Sequence, residues 1–343
     1  MCRDPRDRKA SVPDKSEFNW PNFGVSILGG VAAAAVGAVV MRGGFGGVLF
    51  AHLAPLPLMI VALGFGIGHG ATAAIVAAII LSIYPHPVIG MGYAMLVAVP
   101  AWLAAYAASG APRNGRDILT RNMPGWASLA PAAMLALAII TWLIVATLSF
   151  GSIDEALNPI RARAFILLDN MVRDKELPEG VDATVLSGAV ARAVPAFLAA
   201  YGALIHILNL WIAGRLAQGS GLLTRPWPDI AQEFRLPRIV GGLFVSGLAL
   251  TFFEGPSGPI GLVLSATMGL LLALQGLAVT HVLLRGKRAS ALVLGVIYFM
   301  LGLIGWPIVF LAALGAVDLV ANLRDRKAAA SPPLNQNSAQ KPD

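Results

Sequence analysis

The chain has 343 residues, of which 57% are hydrophobic and only 13% are charged. A soluble domain carries about 25% charged residues, so this composition excludes an ordinary water-soluble protein. The net charge of +7 is expected to come from the loops of a membrane protein and not from nucleic-acid binding.

Long apolar runs predict an all-α fold, a polytopic bundle of transmembrane helices in the lipid bilayer. The runs do not alternate apolar and polar residues as strands of a membrane barrel do, and a helix satisfies its own backbone hydrogen bonds in lipid. About 20 apolar residues cross a bilayer. The candidate spans are residues 24–41, 47–64, 67–84, 88–108, 127–150, 186–213, 239–253, 258–284, 290–305 and 307–322.

Two pairs of these spans leave the number of crossings at about eight to ten. Closely spaced glycines separate the two halves of residues 47–84, and Gly305-Trp306-Pro307 separates the halves of residues 290–322. Each pair is interpreted either as two helices or as one broken helix.

The first two spans carry features of their own. Small residues such as Ala34 and Ala38 lie on one face of the first span, where they allow close packing inside the bundle or docking of another membrane subunit. Pro55 and Pro57 interrupt the second span near its start. A broken helix frees backbone groups that can face a ligand, and a simple kink is the alternative.

The charged segments predict the domain organisation and the orientation. Residues 1–22 and 324–343 are polar tails that we expect to be disordered, on either side of a single transmembrane domain at 23–323. With ten crossings, most lysines and arginines fall on the side of the N-terminus. The positive-inside rule then places both termini in the cytoplasm and the protein in the bacterial inner membrane.

Two loops are expected to have structure of their own. The outer loop at 151–185 has apolar residues at helical spacing, preceded by Asn158-Pro159, a pattern typical of a helix start. We predict an amphipathic helix there, lying on the membrane surface or covering a site. The inner loop at 214–238 has mixed charge, tryptophan and prolines, and is either a docking segment or a connector.

Ionisable and polar residues near the membrane are candidates for function because they are costly to bury. Five of the candidates below, all but Gln275, would form a polar mouth in the outer half, able to bind a small solute, although independent interfacial residues are the alternative. Gln275, with His206 and Asn209, either lines a central cavity or forms hydrogen bonds between helices. Asp318 is expected to pair with a neighbouring arginine or to cap a packing contact. The candidates for substrate binding are Arg42, His52, Tyr84, His86, Glu254 and Gln275.

The sequence does not predict an enzyme, a cofactor or a metal site. It contains neither a GxxxxGK[ST] loop nor an HExxH motif, and the histidines fall on different faces of the predicted bundle. Gly255-Pro-Ser-Gly258 resembles the serine motif of rhomboid intramembrane proteases. However, His281 follows Ser257 on the same predicted helix, and about 36 Å separates the two residues at about 1.5 Å per residue. They are therefore too far apart to form a catalytic dyad.

Several segments together resemble the YybS-like family of uncharacterised bacterial membrane proteins, over about residues 24–326. The segments are Ala54–Leu58, Glu233–Pro237, Leu274–His281, the basic turn at 285–288, and Leu314–Leu319 with Leu323–Asp325. That family is distantly similar to the substrate-binding S components of energy-coupling factor transporters. The resemblance implies a partner-dependent subunit that binds a small solute, with Ala34 and Ala38 on its docking face. A non-transporting scaffold for cell-envelope assembly is the alternative.

Overall fold

The described part of the protein is helical. In a computed structural model, the described residues are 22–39, 43–84, 86–109, 123–174, 176, 178, 180–223 and 225–330, and no strand occurs within these ranges. The predicted all-α membrane fold is therefore confirmed. The chain divides into two compact units, Met1–Ser109 with Leu208–Trp227, and Gly110–Ile207 with Pro228–Asp343.

Helix lengths agree with the predicted spans. Within the described residues, five helical stretches are long and apolar enough to cross a membrane, two of them with an irregular turn inside, and five shorter apolar helices add to them. The long ones are Gly46–Phe65, Pro87–Ala108, Pro124–Phe150, Ala183–Gly219 and Ser257–Leu284. The short ones are Phe23–Ala38, Ile67–Ile83, Ile239–Leu250, Ser290–Leu303 and Ile308–Ala321.

The first unit contains the helices of the N-terminal third and the end of a long later helix. In chain order they are α1 (Phe23–Ala38), α2 (Gly44–Ala51), α3 (Pro55–Phe65), α4 (Ile67–Ile83), α5 (Pro87–Tyr93), a π-helical segment (Ala94–Ala98) and α6 (Val99–Ala108). The end of α9 (Ala183–Gly219) completes the unit.

Helices α3 and α4 form a tight hairpin and are therefore two helices. Gly66 joins them with φ of +117°, a backbone angle that glycine adopts without steric cost. Four residues on either side of this turn, a Cβ at Gly70 would overlap the side chain of Ala62. Both positions need small residues because the two backbones approach so closely.

The small-residue face of α1 packs inside the first unit. A Cβ on Gly29 would overlap Val61 of α3, and one on Gly30 would overlap Val76 of α4. Ala34 is only 2% exposed, so in this structure its side chain packs inside the unit. Ala38 is half-buried, and its role in partner docking stays a prediction.

The second unit is built around one long buried helix. Its helices are α7 (Met123–Phe150), α8 (Ile153–Arg173), the first part of α9, α10 (Ile230–Glu233), α11 (Ile239–Leu250), α12 (Ser257–Leu284), α13 (Ser290–Leu303), α14 (Ile308–Ala321) and α15 (Leu323–Ala330). Helix α12 packs against α7, α11 and α14. Its contact with α14 has no room for side chains at Gly276 and Gly315, where a Cβ would overlap backbone oxygens of the facing helix.

The amphipathic helix expected in the loop at 151–185 is present as α8, but its predicted start was wrong. It begins at Ile153, and the Ser152 hydroxyl accepts a hydrogen bond from the Glu155 N–H at 3.2 Å. Pro159 lies inside the helix. Ile153 and Leu157 are buried in an apolar cluster of the second unit, which extends the helix toward the N-terminus past the proline.

The predicted C-terminal tail begins too early in the sequence. Residues 324–330 belong to helix α15, and Arg324 is only 4% exposed. Asn322, with φ of +50°, turns the chain between α14 and α15, so that Arg324 folds back into the unit. The rest of the predicted tails, residues 1–21 and 331–343, lies outside the described residues.

Candidate functional site

The first candidate site is a break in an apolar span of the first unit. Between α2 and α3 the backbone makes tight turns, in which Ala54 N–H donates to Ala51 O at 3.1 Å and Leu56 N–H donates to Leu53 O at 3.0 Å. Pro55 has no N–H to continue a helical ladder, so the chain breaks where the sequence predicted it. The break lies inside Gly46–Phe65, a stretch with the length and composition of a membrane span.

Two side chains from other helices of the same unit bind the broken backbone. The Asn209 amide nitrogen, on α9, donates to His52 O at 2.8 Å. The Tyr93 hydroxyl, at the end of α5, donates to Ala54 O at 3.4 Å. Asn209 is 3% exposed and Tyr93 is 8% exposed, so these hydrogen bonds are shielded from solvent.

A second irregularity adjoins the first. Directly after Tyr93, residues Ala94–Ala98 form a π-helical turn between α5 and α6. Such turns occur frequently at functional sites. The first unit therefore brings together a helix break and a π-helical turn through the contact between Tyr93 and Ala54.

The chemistry of this site is hydrogen bonding. Its groups are backbone carbonyls, a carboxamide at Asn209, a phenol at Tyr93 and an imidazole at His52. The His52 ring lies within hydrogen-bonding distance of Val48 O, one turn earlier. Groups of this kind orient a polar solute.

Two other predicted residues of the outer mouth lie at the surface of the first unit. Tyr84 ends α4 and is 74% exposed. His86 caps the start of α5, where its ring accepts a hydrogen bond from Val88 N–H at 3.3 Å. Arg42 lies outside the described residues. The substrate-binding role of these three residues stays a prediction.

The structure separates two predicted site residues of the second unit. Glu254 is exposed in the turn before α12, whereas Gln275 is 2% exposed on that helix. At about 1.5 Å per residue, Gln275 lies about 27 Å along the axis from the first residue of α12. These two side chains do not line one pocket.

Gln275 instead belongs to a buried polar cluster. Its side-chain oxygen accepts from Leu236 N–H at 2.8 Å, and its nitrogen donates to an Asp318 oxygen at 2.9 Å. Arg324 donates to that same Asp318 oxygen at 2.8 Å. The expected pairing of Asp318 with an arginine is confirmed.

The buried cluster also holds the segment before α11. Arg324 donates to the carbonyl oxygens of Ala231 and Gln232 at 3.1 and 3.3 Å. At the surface, Arg235 forms two hydrogen bonds with the carboxylate of Asp325. The segments Glu233–Pro237, Leu274–His281, Leu314–Leu319 and Leu323–Asp325 thus meet at one end of the second unit.

Two buried polar contacts of the first unit were not anticipated from the sequence. The Ser26 hydroxyl and the His69 ring nitrogen lie 2.9 Å apart, with both residues at most 1% exposed. Tyr93 was not selected either. In both contacts, the sequence shows a single polar residue within a long apolar run. That pattern indicates a buried polar group but does not indicate which residue it contacts.

Comparison with known proteins identifies a family and no characterised relative. Neither the curated proteins nor the solved structures give a significant match to the chain. One family, described as predicted membrane protein (DUF2232), matches residues 31–319, which is most of the chain and covers the helix break and nearly all of the buried cluster. The chain is therefore a member of the DUF2232 family of predicted membrane proteins.

Proposed function

We propose that this membrane protein is a subunit that binds a small solute and works with partner subunits, as S components of energy-coupling factor transporters do. The main support for this proposal is the helix break at residues 52–54, where Asn209 and Tyr93 donate hydrogen bonds to backbone oxygens. The resemblance to the YybS-like family supports the same role.

Membrane physics explains why this break supports solute binding. Burying a backbone carbonyl in hydrocarbon without a hydrogen bond costs a free energy on the order of 2–7 kcal/mol. A plain span avoids that cost by remaining helical. Here α2 ends at Ala51 and Pro55 begins α3, and two polar side chains donate hydrogen bonds to carbonyl oxygens of the turns between them. Transporters place discontinuous helices at their substrate sites, where the freed backbone groups contact the ligand.

In this proposal the protein lies in the bacterial inner membrane with both termini in the cytoplasm. The solute site is then in the outer half of the bilayer, where His52 was placed by the distribution of basic loops. Binding and transfer are not chemical reactions, so this role requires no enzyme activity of the chain.

A scaffold in cell-envelope assembly is the second candidate. It is favoured by the segment Asp229–Pro237, which is held by the buried cluster and leaves Gln232 and Glu233 exposed. A rigid exposed segment is suited to binding a partner protein. Such a scaffold would be recovered with assembly proteins and without a transport ATPase.

Native mass spectrometry of the protein extracted gently from its own membrane tests the proposal. We expect a retained small molecule in the wild type and its loss in Asn209→Leu, which removes the amide at the break. Thr72→Val is the matched control, because the exposed Thr72 hydroxyl donates only to Gly68 O within its own helix. A wild-type protein without any bound solute, or equal retention in both variants, would contradict the proposal.

A further inference from the structure

We propose that the end of the second unit opposite the α11–α12 turn binds anionic phospholipid headgroups through Arg238, Lys287, Arg288 and Arg326. This end, here called the basic end, comprises the starts of α11 and α13, the end of α12, and α15. The inference is independent of the solute site in the first unit.

The acidic side chains of the basic end are engaged internally. Asp229 pairs with Arg285 at 2.8 Å, Asp318 pairs with Arg324 at 2.8 Å, and Asp325 pairs with Arg235. The remaining acid, Glu233, accepts a hydrogen bond from Asp229 N–H at 3.1 Å. Three of the four carboxylates are thus neutralised by an arginine, whereas the backbone hydrogen bond of Glu233 leaves its charge in place.

Four further basic side chains of the basic end take no part in these ion pairs. Arg238, Lys287, Arg288 and Arg326 are all exposed and form no ion pair with the part of the chain that the structure describes. Helix packing keeps them at one end of the unit, because Gly241 of α11 faces Leu319 of α14 and Lys327 of α15 donates to Val282 O of α12. The result is a positively charged surface that attracts anions.

The position of these cations favours a lipid as the source of the anion. Arg238 immediately precedes α11, and Lys287 with Arg288 lies between α12 and α13. Helix α12 is long and apolar enough to cross a membrane, and α11 and α13 are shorter apolar helices. A bilayer-spanning α12, with 28 residues or about 42 Å at about 1.5 Å per residue, is longer than the hydrocarbon core of about 30 Å, which puts Lys287 and Arg288 at the depth of lipid phosphates.

Apolar surface adjoins the cations on the membrane side. Ile239, next to Arg238, is 57% exposed, and Leu292, one turn after Arg288, is 72% exposed. A phospholipid can place its phosphate on the cations and its acyl chains along these side chains. A soluble phosphate would use only the charges, so the acyl contribution distinguishes the two sources.

Native mass spectrometry of the full chain in a neutral detergent tests this inference. Phosphatidylglycerol and phosphatidylcholine are titrated separately into the wild type, Lys287→Gln/Arg288→Gln and Arg161→Gln/Arg163→Gln. The last variant is the control, because it removes two exposed arginines from α8 at another surface. We expect the first variant to lose at least about tenfold in phosphatidylglycerol binding, since each basic residue near a headgroup contributes about 1 kcal/mol.

Two further results are expected from the same titrations. The control should bind phosphatidylglycerol as the wild type does, and inorganic phosphate should not compete at equal concentration. Wild-type phosphatidylglycerol binding should weaken as salt is raised, a readout that does not depend on how well any variant folds. Equal binding of the two lipids, an equal loss in the control, full displacement by phosphate, or salt-independent binding would overturn the inference.

Discussion

Asp318 and Arg324 form a buried ion pair across the turn between α14 and α15. Their charged atoms lie 2.8 Å apart, and each side chain is 3% exposed. The left-handed conformation of Asn322 reverses the chain between them, so the pair depends on this turn. Since Arg324 also binds the carbonyls of Ala231 and Gln232, the pair connects α14, α15 and the segment before α11.

Removing one partner of this pair is expected to destabilise the protein strongly. Asp318→Asn leaves the Arg324 charge buried without its counter-charge, which costs about 3–5 kcal/mol of unfolding free energy. The control is Asp229→Asn, because the Asp229–Arg285 pair is about half exposed and such pairs contribute at most about 1 kcal/mol. Unfolding in detergent micelles measures both, and equal effects would disprove the special role of the buried pair.

The crossing of α12 and α14 is expected to tolerate no added side chain. In Gly276→Ala, the new methyl group overlaps the Leu311 carbonyl oxygen, and such overpacking typically costs about 1–3 kcal/mol. Gly302→Ala on α13 is the matched control, since a Cβ there meets no atom within 4 Å. Alanine favours a helix over glycine by up to about 1 kcal/mol, so thermal stability should fall in the first variant and not in the second.

Asp182 gives the start of α9 a pH dependence. Its carboxylate accepts hydrogen bonds from the Thr184 and Val185 N–H groups, and these bonds lower the pKa of Asp182 below its usual value. A lowered folded pKa means that the capping stability is present above the unfolded pKa and is lost as the pH falls through the folded pKa. The protection of the Thr184 and Val185 amides against hydrogen exchange, measured relative to the intrinsic exchange rate at each pH, should therefore fall in acid.

Asp182→Asn is the control for that measurement. Asparagine also caps helix starts but does not titrate, so its first turn should remain equally protected across the same acidic range. If the variant loses protection with falling pH as the wild type does, another group controls the start of α9.

The proposed orientation predicts opposite labelling at the two ends of α12. In a Cys2→Ser background, Glu254→Cys should react with a membrane-impermeant maleimide in intact cells, whereas Ala289→Cys should react only after lysis. Both positions are exposed, and α12 has 28 residues, about 42 Å at about 1.5 Å per residue, longer than the hydrocarbon core of about 30 Å. Labelling of Ala289→Cys in intact cells would reverse the orientation.

Apolar runs were sufficient to predict the helices, because a membrane span requires a long uncharged segment whatever it packs against. The break at Pro55 and Pro57 was also predictable, since proline removes the N–H locally. The start of α8 was not, because burial of Ile153 and Leu157 extends the helix past the local signal at Asn158-Pro159.

The partners of buried polar residues depend on tertiary packing and were only partly predictable. Asp318 and Arg324 are close in sequence, and their pairing was expected. Gln275 receives Leu236 N–H from a segment 39 residues away, and no local pattern indicates that contact. The sequence offered Gln275 both as a solute-site residue and as a hydrogen bond between helices, and the structure places it in the buried cluster, bonded to Asp318 of another helix.

Site-directed photocrosslinking at the helix break measures whether a small solute binds there in the native membrane. Benzoylphenylalanine replaces Leu53, which is 37% exposed within the break, or Leu148, which is 80% exposed on α7. After irradiation in the native membrane, intact-protein mass spectrometry measures what each position has captured. We expect a small-molecule adduct distinct from lipid at Leu53 and lipid adducts alone at Leu148. Lipid adducts alone at both positions would contradict the proposed solute site.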